Sequence, residues 1–148
     1  MRAVLQRVSH ARVFVEGQEV GSIGMGWTIL LGVGPEDDEQ TAAGLVDRIA
    51  GLRAFDDPEG KMNLAAADAG AEMLVVSQFT LYADLRGRRP GFSRAASPDR
   101  AEPLVERVCE LLRQRGFTVG SGRFGAMMDV ELTNQGPVTF VLSTDAWS

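Results

Sequence analysis

Residues 27–33 read WTILLGV, Trp27 to Val33, a continuous apolar run with β-branched members. This is the pattern of a strand buried on both faces. Gly32, Gly34 and Pro35 end it. Immediately afterwards the period changes. From Asp38 to Phe55 the apolar residues fall at Ala42, Leu45, Val46, Ile49 and Leu52, which is helical spacing, and the acids Glu36, Asp37, Asp38 and Glu39 stand where they suit the helix dipole. A turn at Asp56-Asp57-Pro58-Glu59-Gly60 and a second buried strand at Glu72–Ser77 (EMLVVS) follow. A buried strand, a helix and another buried strand in that order predict a sheet with a helix packed on it.

Toward the N-terminus, Ala3–Val8 and Ala11–Val15 are short β-rich runs with His10 between them, and Glu16-Gly17-Gln18 marks a hairpin turn before Val20. Toward the C-terminus, residues 82–97 are polar, Arg/Gly-rich and contain Pro90, which predicts a long loop. Ser97-Pro98 opens a second helix with Ser at the N-cap and Pro in the first turn. Its face is Leu104, Val105, Val108, Leu111 and Leu112; Pro103 implies a start nearer Arg100 or a kink, and Gly116 is the stop. Two strands, Ala126–Thr133 and Val138–Ser143, close the chain, joined by Asn134-Gln135-Gly136-Pro137. The order β-β-β-α-β-α-β-β lacks the strict alternation of a doubly wound sheet. It predicts a mixed, layered α/β fold with curved, largely antiparallel sheets and two helices packed on one side.

The 148 residues are the length of one domain, 1–148, and 45% of them are apolar, as in a globular protein. The single cysteine, Cys109, excludes an internal disulfide, and with the single histidine, His10, it excludes a Cys/His zinc site. Only His10 is available as the base of a Ser–His or Cys–His pair. Lys61 is the only lysine among 15 basic residues. The net charge of −5 argues against a nucleic-acid partner, but the charge is uneven: residues 84–100 hold five arginines and two aspartates, while residues 36–39 are all acidic. No apolar run reaches the roughly 20 residues of a membrane span. The opening residues lack the apolar block of a signal peptide, so the expected location is cytoplasmic, away from membranes.

The usual catalytic devices are missing. There is no GxxxxGK[ST] loop, and the glycine-rich run 21–26 precedes a strand rather than a helix, so it reads as a turn. Asp56, Asp57 and Glu59 lack a calcium-loop pattern and read as a solvated turn. Cys109 falls on the buried side of the second helix, and His10 reads as a turn or surface residue. Two segments resist a structural reading. In Ser77-Gln78-Phe79-Thr80-Leu81-Tyr82-Ala83-Asp84 a buried strand runs straight into hydroxyl and amide side chains, well placed to line a pocket, with the N–H groups of Phe79 and Thr80 suited to an oxyanion hole. Strand termination with local side-chain-to-backbone bonds is the alternative. Asn134-Gln135-Gly136-Pro137-Val138-Thr139 does not fit a two-residue hairpin; its Gly–Pro bond is either an ordinary loop bond or cis.

SQFTLYAD at 77–84 together with NQGPVTF at 134–140 resembles the D-aminoacyl-tRNA deacylase family. The opening QRVSHARVFVEG, AFDDPEGKMN at 54–63, RRPGFSRAA at 88–96 and GRFGAMMDV at 122–130 agree, so the resemblance covers essentially the whole chain in order. Gln135 stands where the family usually has Asp, and Gly91 where it usually has Ser. The resemblance implies a layered α/β fold with strongly curved sheets, a cytoplasmic homodimer, tRNA as partner, and neither metal nor organic cofactor. It implies hydrolysis of the ester between a D-amino acid, or mischarged glycine, and the terminal ribose of tRNA, with rejection of L-aminoacyl-tRNA. By position, Ser77, Gln78, Phe79 and Thr80 form the catalytic floor at the ribose and acyl end, where either Thr80 attacks as nucleophile or the Phe79 and Thr80 N–H groups hold the oxyanion while the substrate's 2′-hydroxyl helps to activate water. Gly136 and Pro137 form a cis dipeptide that enters the other subunit's site and selects chirality. Arg86, Arg88, Arg89 and Arg94 are the expected contacts to the RNA backbone. A non-catalytic RNA-end or nucleotide-binding module on the same fold is the competing expectation.

Overall fold

In the computed structural model, which describes residues 1–146, a 14-residue strand β1 (Arg2–Val15) organises the sheet. One edge of β1 pairs antiparallel along its whole length with β8 (Asp129–Ser143), from Arg2↔Ser143 to Phe14↔Asp129. Two strands share the other edge. β3 (Gly26–Gly32) takes the first half of β1 and β2 (Gln18–Ile23) the second. β6 (Glu72–Ser77) then lies parallel to β3, and β7 (Val119–Ser121) parallel to β6. The sheet curls so far that its ends touch: a Cβ built on Gly21 of β2 would stand 2.4 Å from the Ser121 carbonyl oxygen of β7. A separate small ladder joins β4 (Phe55–Asp56) and β5 (Met62–Leu64).

Helices α1 (Glu39–Gly51) and α3 (Pro98–Gln114) cover one face of the sheet, with a single turn, α2 (Ala66–Ala69), beside them. Ala42, Leu45, Val46 and Ile49 of α1 and Val105, Val108 and Leu112 of α3 pack on Leu5, Trp27, Ile29, Leu31, Met73 and Val75. Trp27 is fully buried and edge-on to Phe55 and Phe140. Residues alternating with these, Leu74 and Val76 of β6, join Val8, Val13 and Ile23 in a smaller core on the opposite face. WTILLGV is therefore buried on both faces, as its pattern predicts. α1 starts at a capping box in which Asp38 and Thr41 satisfy each other's backbone N–H groups.

The architecture matches the expected mixed α/β class. Its antiparallel ladders carry most of the pairing, and both predicted helices lie on one side. Three details differ. β1 is one strand through residues 9–10, so His10 lies within it, exposed on its surface, and not between two strands. β8 likewise runs unbroken through 134–137 instead of forming two strands. Register shifts at Gln6/Val8 and Val8/Ala11 absorb the irregular residues, so the partner strand continues the ladder where local composition indicated a break. α3 is opened by Ser97 and Pro98 as expected, but it runs on through Pro103 without a later start at Arg100. Four turns of buried contacts outweigh the one hydrogen bond that Pro103 cannot donate.

Candidate active site

β6 delivers Ser77–Thr80 to the sheet's end. The Gln78 N–H donates to the Leu31 carbonyl at 2.8 Å, the last bond of the parallel ladder, and Phe79–Tyr82 then form one turn of 3-10 helix. Tyr82 anchors that turn. Its ring lies against Gly32 and Gly34, where an added Cβ would stand 3.0–3.2 Å from it. The Arg2 guanidinium sits 4.2 Å over the ring, and the phenol donates to Asp145 Oδ2 at 2.8 Å. Burial, then the bond to Asp145, pushes the phenol's pKa above its ordinary value, so it stays a donor. The two glycines that end the buried strand β3 thus make room for the ring that fixes the site.

A helical turn leaves its first N–H groups without internal acceptors. Here those groups belong to Phe79 and Thr80, and no acceptor among the described residues meets either of them. Two adjacent unpaired donors are the requirement for stabilising an oxyanion. The Thr80 hydroxyl accepts from the Gln78 side-chain amide at 2.5 Å. An amide N–H is only a donor and takes no proton from a hydroxyl. His10 is bonded elsewhere, 3.1 Å from Ser9 Oγ and 3.4 Å from Thr133 Oγ1 beside β8.

Ser77, Gln78 and Phe79 open onto a cavity of about 430 Å³ whose other walls include Leu31, Phe92 and Phe124. Phe79 and Phe92 meet edge-to-face at its mouth, 5.0 Å between centroids, and both are exposed. Thr80 lines a neighbouring cavity of about 780 Å³ together with Arg86 and Arg94. The loop that carries the predicted RNA-binding arginines is closed at its base by paired backbone bonds between Asp84 and Gly91. Arg86 does not project freely: it grips Asp84 through Nε at 2.9 Å and Nη2 at 2.6 Å, which lowers the carboxyl's pKa to about 2. Arg88 and Arg89 are exposed at the loop's tip.

The second motif lies elsewhere in the chain. The Gly136–Pro137 bond is cis, Gly136 has φ +123°, and both residues are exposed on β8. Arg7, largely buried, holds the segment from beneath: its Nε donates to the Gln135 carbonyl at 3.3 Å, and its Nη1 to the Ala54 carbonyl at 2.9 Å and Asp56 Oδ1 at 3.2 Å. The Asn134 side chain braces the other flank, accepting from Val138 N–H at 3.2 Å and donating to Thr139 Oγ1 at 3.0 Å. Gly136 stands opposite Arg7, whereas Ser77 is level with Leu31 and Ala3, four residues along β1 and three strands across. Measured along the curled sheet, strand rise and spacing separate the two motifs by on the order of 20 Å within one chain, and the motifs line different cavities. The structure thus gathers Ser77–Thr80 at one site and Gly136–Pro137 at another.

Arg7, Phe92 and Phe124 belong to these sites although the sequence reading did not single them out. Arg7 had a legible signal: it occupies the third of the alternating positions Ala3, Leu5 and Arg7, the first two of which are core. Phe92 and Phe124 lie within the segments RRPGFSRAA and GRFGAMMDV, but no local pattern shows that either ring reaches the cavity.

The family model described as D-Tyr-tRNA(Tyr) deacylase matches residues 4–143. The D-aminoacyl-tRNA deacylase of Symbiobacterium thermophilum is 56% identical over 146 residues, covering 98% of this chain and 97% of that one. That of Syntrophotalea carbinolica is 58% identical over 145 residues, covering 97% of each. Among solved structures, a c-Myc DNA unwinding element binding protein superposes with TM-score 0.92 at 39% identity, over 99% of this chain and all of the other. A probable eukaryotic D-amino acid tRNA deacylase shares the fold with TM-score 0.83 at 19% identity, over 95% of this chain and 97% of that one. With both motifs in place on that fold and the match running through nearly the whole chain, the protein belongs to the D-Tyr-tRNA(Tyr) deacylase family.

Proposed function

We propose that this protein hydrolyses the ester joining a D-amino acid, or mischarged glycine, to the 3′-terminal ribose of tRNA, and that it works as a cytoplasmic homodimer of one-domain chains. The observation that carries this reading is the pair of N–H groups without an acceptor among the described residues, that of Phe79 beside the aromatic-edged cavity of about 430 Å³ and that of Thr80 beside the neighbouring one. The terminal adenosine enters that cavity and its base lies among Phe79, Phe92 and Phe124. The ester carbonyl points at the two N–H groups. Water attacks the carbonyl carbon, the oxyanion is held by those donors, and collapse expels the ribose oxygen, which takes up a proton. The substrate's own 2′-hydroxyl helps to activate the water. No metal or organic cofactor takes part.

Gly136 and Pro137 of a second copy form the wall opposite the α-carbon. Their separation from Ser77–Thr80 within one chain supports this, because an aminoacyl ester cannot span on the order of 20 Å. The exposed strand β8, which carries them, and exposed apolar side chains such as Val141 and Leu85 support a second copy as well. A D-amino acid presents hydrogen and ammonium to the wall and its side chain to open space. An L-amino acid drives its side chain into backbone that cannot move. Glycine has no side chain to exclude, so it is cleaved too.

Purified protein incubated with D-tyrosyl-tRNA and L-tyrosyl-tRNA tests the reading. Release from the D-ester alone is expected; release from neither supports a non-catalytic binding module. The environment of Thr80 adds a second expectation. Among the described residues the Thr80 hydroxyl bonds only to the Gln78 amide, which takes no proton, so Thr80→Ala is expected to retain D-tyrosyl-tRNA hydrolysis within about tenfold of the wild type; a fall of ~10²–10³ or more favours Thr80 as nucleophile. The RNA backbone rests on Arg88 and Arg89, with Arg94 nearer the cavity and Arg86 shaping the loop through Asp84. Reversing the charge at Arg88 and Arg89 weakens tRNA binding and flattens its salt dependence by about one unit of slope per lost contact. An unchanged slope removes these residues from the interface.

A further inference from the structure

The Ser77–Thr80 floor borders more than the cavity assigned to the terminal adenosine. On the side away from Thr80, a second cleft of about 570 Å³ opens between α3 and the ends of β6 and β7. It shares Ser77, Val105 and Phe124 with the adenosine cavity, so the two are continuous across the Phe124 ring. Along the motif, Ser77 borders this cleft, Ser77 to Phe79 border the adenosine cavity, and Thr80 borders the arginine-lined cavity beyond. Three compartments thus follow one another along the motif, the first two of them continuous. With the acyl group at the Phe79 and Thr80 N–H groups, the 5′ side of the terminal nucleoside faces the cleft.

The cleft has its own chemistry. Glu102 and Glu106 line it from α3, one turn apart, and among the described residues neither carboxylate has an ion-pair or hydrogen-bond partner. Two unpaired like charges at that spacing weaken a helix, so local stability does not account for them. Arg123, beside Phe124 on the facing loop, also lines the cleft, and no carboxylate among the described residues pairs with it. The α3 wall also holds Glu110, paired with Arg107, and Arg113, which donates to the Val119 carbonyl, so the acceptors that wall leaves for a ligand are Glu102 and Glu106, and the facing loop presents the Arg123 guanidinium.

Resting on the deacylase reading above, we propose that this cleft is the subsite for the penultimate nucleotide of the RNA, a cytidine. Arg123 engages the phosphodiester that links it to the terminal adenosine, and Glu102 and Glu106 accept from the cytosine N4 amine. Carboxylates accept from that amine and repel the O4 oxygen that uracil has in its place. Every tRNA ends in CCA, so reading this base selects tRNA ends without selecting among tRNAs. That suits a site that judges the chirality of the amino acid and ignores its side chain.

The test uses the unacylated dinucleotides CpA and UpA, titrated against the intact protein. The wild type is expected to bind CpA on the order of tenfold more tightly than UpA. In the Glu102→Gln, Glu106→Gln double variant the ratio falls toward one, and Arg123→Ala weakens both dinucleotides alike. Equal affinity for the two in the wild type, no binding of CpA, or a preference that survives in the double variant overturns the proposal. Dinucleotide binding does not depend on ester cleavage, so a cytidine preference in a protein that leaves D-tyrosyl-tRNA intact refutes the deacylase reading and upholds the subsite.

Discussion

Gly136→Ala is expected to lower kcat/KM for D-tyrosyl-tRNA by on the order of 10²-fold, the scale of loss when a positioning element moves by about 1 Å. The backbone of Gly136 has φ +123°, a region that side-chain-bearing residues rarely enter. An added Cβ would stand 2.8 Å from Val138 Cγ2 and 3.0 Å from Arg7 Nη2. Arg7 cannot yield freely, because it also holds the carbonyls of Ala54 and Gln135. The segment must shift, and the shift moves the wall proposed to face the substrate's α-carbon. Residues 135–137 are exposed and Val138 lies at the edge of the core, so the strain of roughly 1–3 kcal/mol falls on the local backbone and on that one core side chain. Steady-state hydrolysis of the D- and L-esters checks this. Wild-type kcat/KM and selectivity in a folded variant would mean that the segment is no wall.

Gly26→Ala attacks the fold itself and is expected to cost roughly 3–5 kcal/mol, about 10 °C in Tm for a chain of this length. Gly26 opens β3 and pairs with Val8 of β1 on one side and Glu72 of β6 on the other. A Cβ there would lie 1.8 Å from the Glu72 carbonyl oxygen and 2.6 Å from its backbone nitrogen. Both are main-chain atoms, so no rotamer change relieves the clash, and the β3–β6 ladder has to part. That ladder ends at Ser77, so a partial rescue by separation of the strands also displaces the Phe79–Tyr82 turn. A thermal melt decides it: a Tm within about 2 °C of the wild type shows that the strands separate at little cost.

The legible parts of this protein are those where chemistry repeats over several residues. WTILLGV and EMLVVS have no polar face and must be buried strands. The 3.6-residue period in 38–55 and 97–116 specifies two helices and the face each buries. The polar cluster after Ser77 marks a pocket, because hydroxyls and amides that follow a buried strand emerge where the sheet ends. β4, β5, α2 and β7, each two to four residues long, are too short to show any period. The unbroken course of β1 and β8 was hidden for another reason: a bulged ladder is held by its partner strand, and residues 9–10 and 134–137 taken alone look like breaks.

By itself, then, the sequence determined the α/β class, the core faces of both helices and the two motifs that place the chain in its family. Each of these is a property of neighbouring residues. Only the tertiary structure decided that Tyr82 lies on Gly32 and Gly34, that Arg7 underpins Gly136, that Arg86 is bound to Asp84, and that Phe124 divides two continuous cavities. It also decided that the two motifs stand apart within one chain. Hydrophobic and helical patterns are written in local spacing, but a site is an intersection of strands, and where strands meet depends on register and curl that no short stretch of residues specifies.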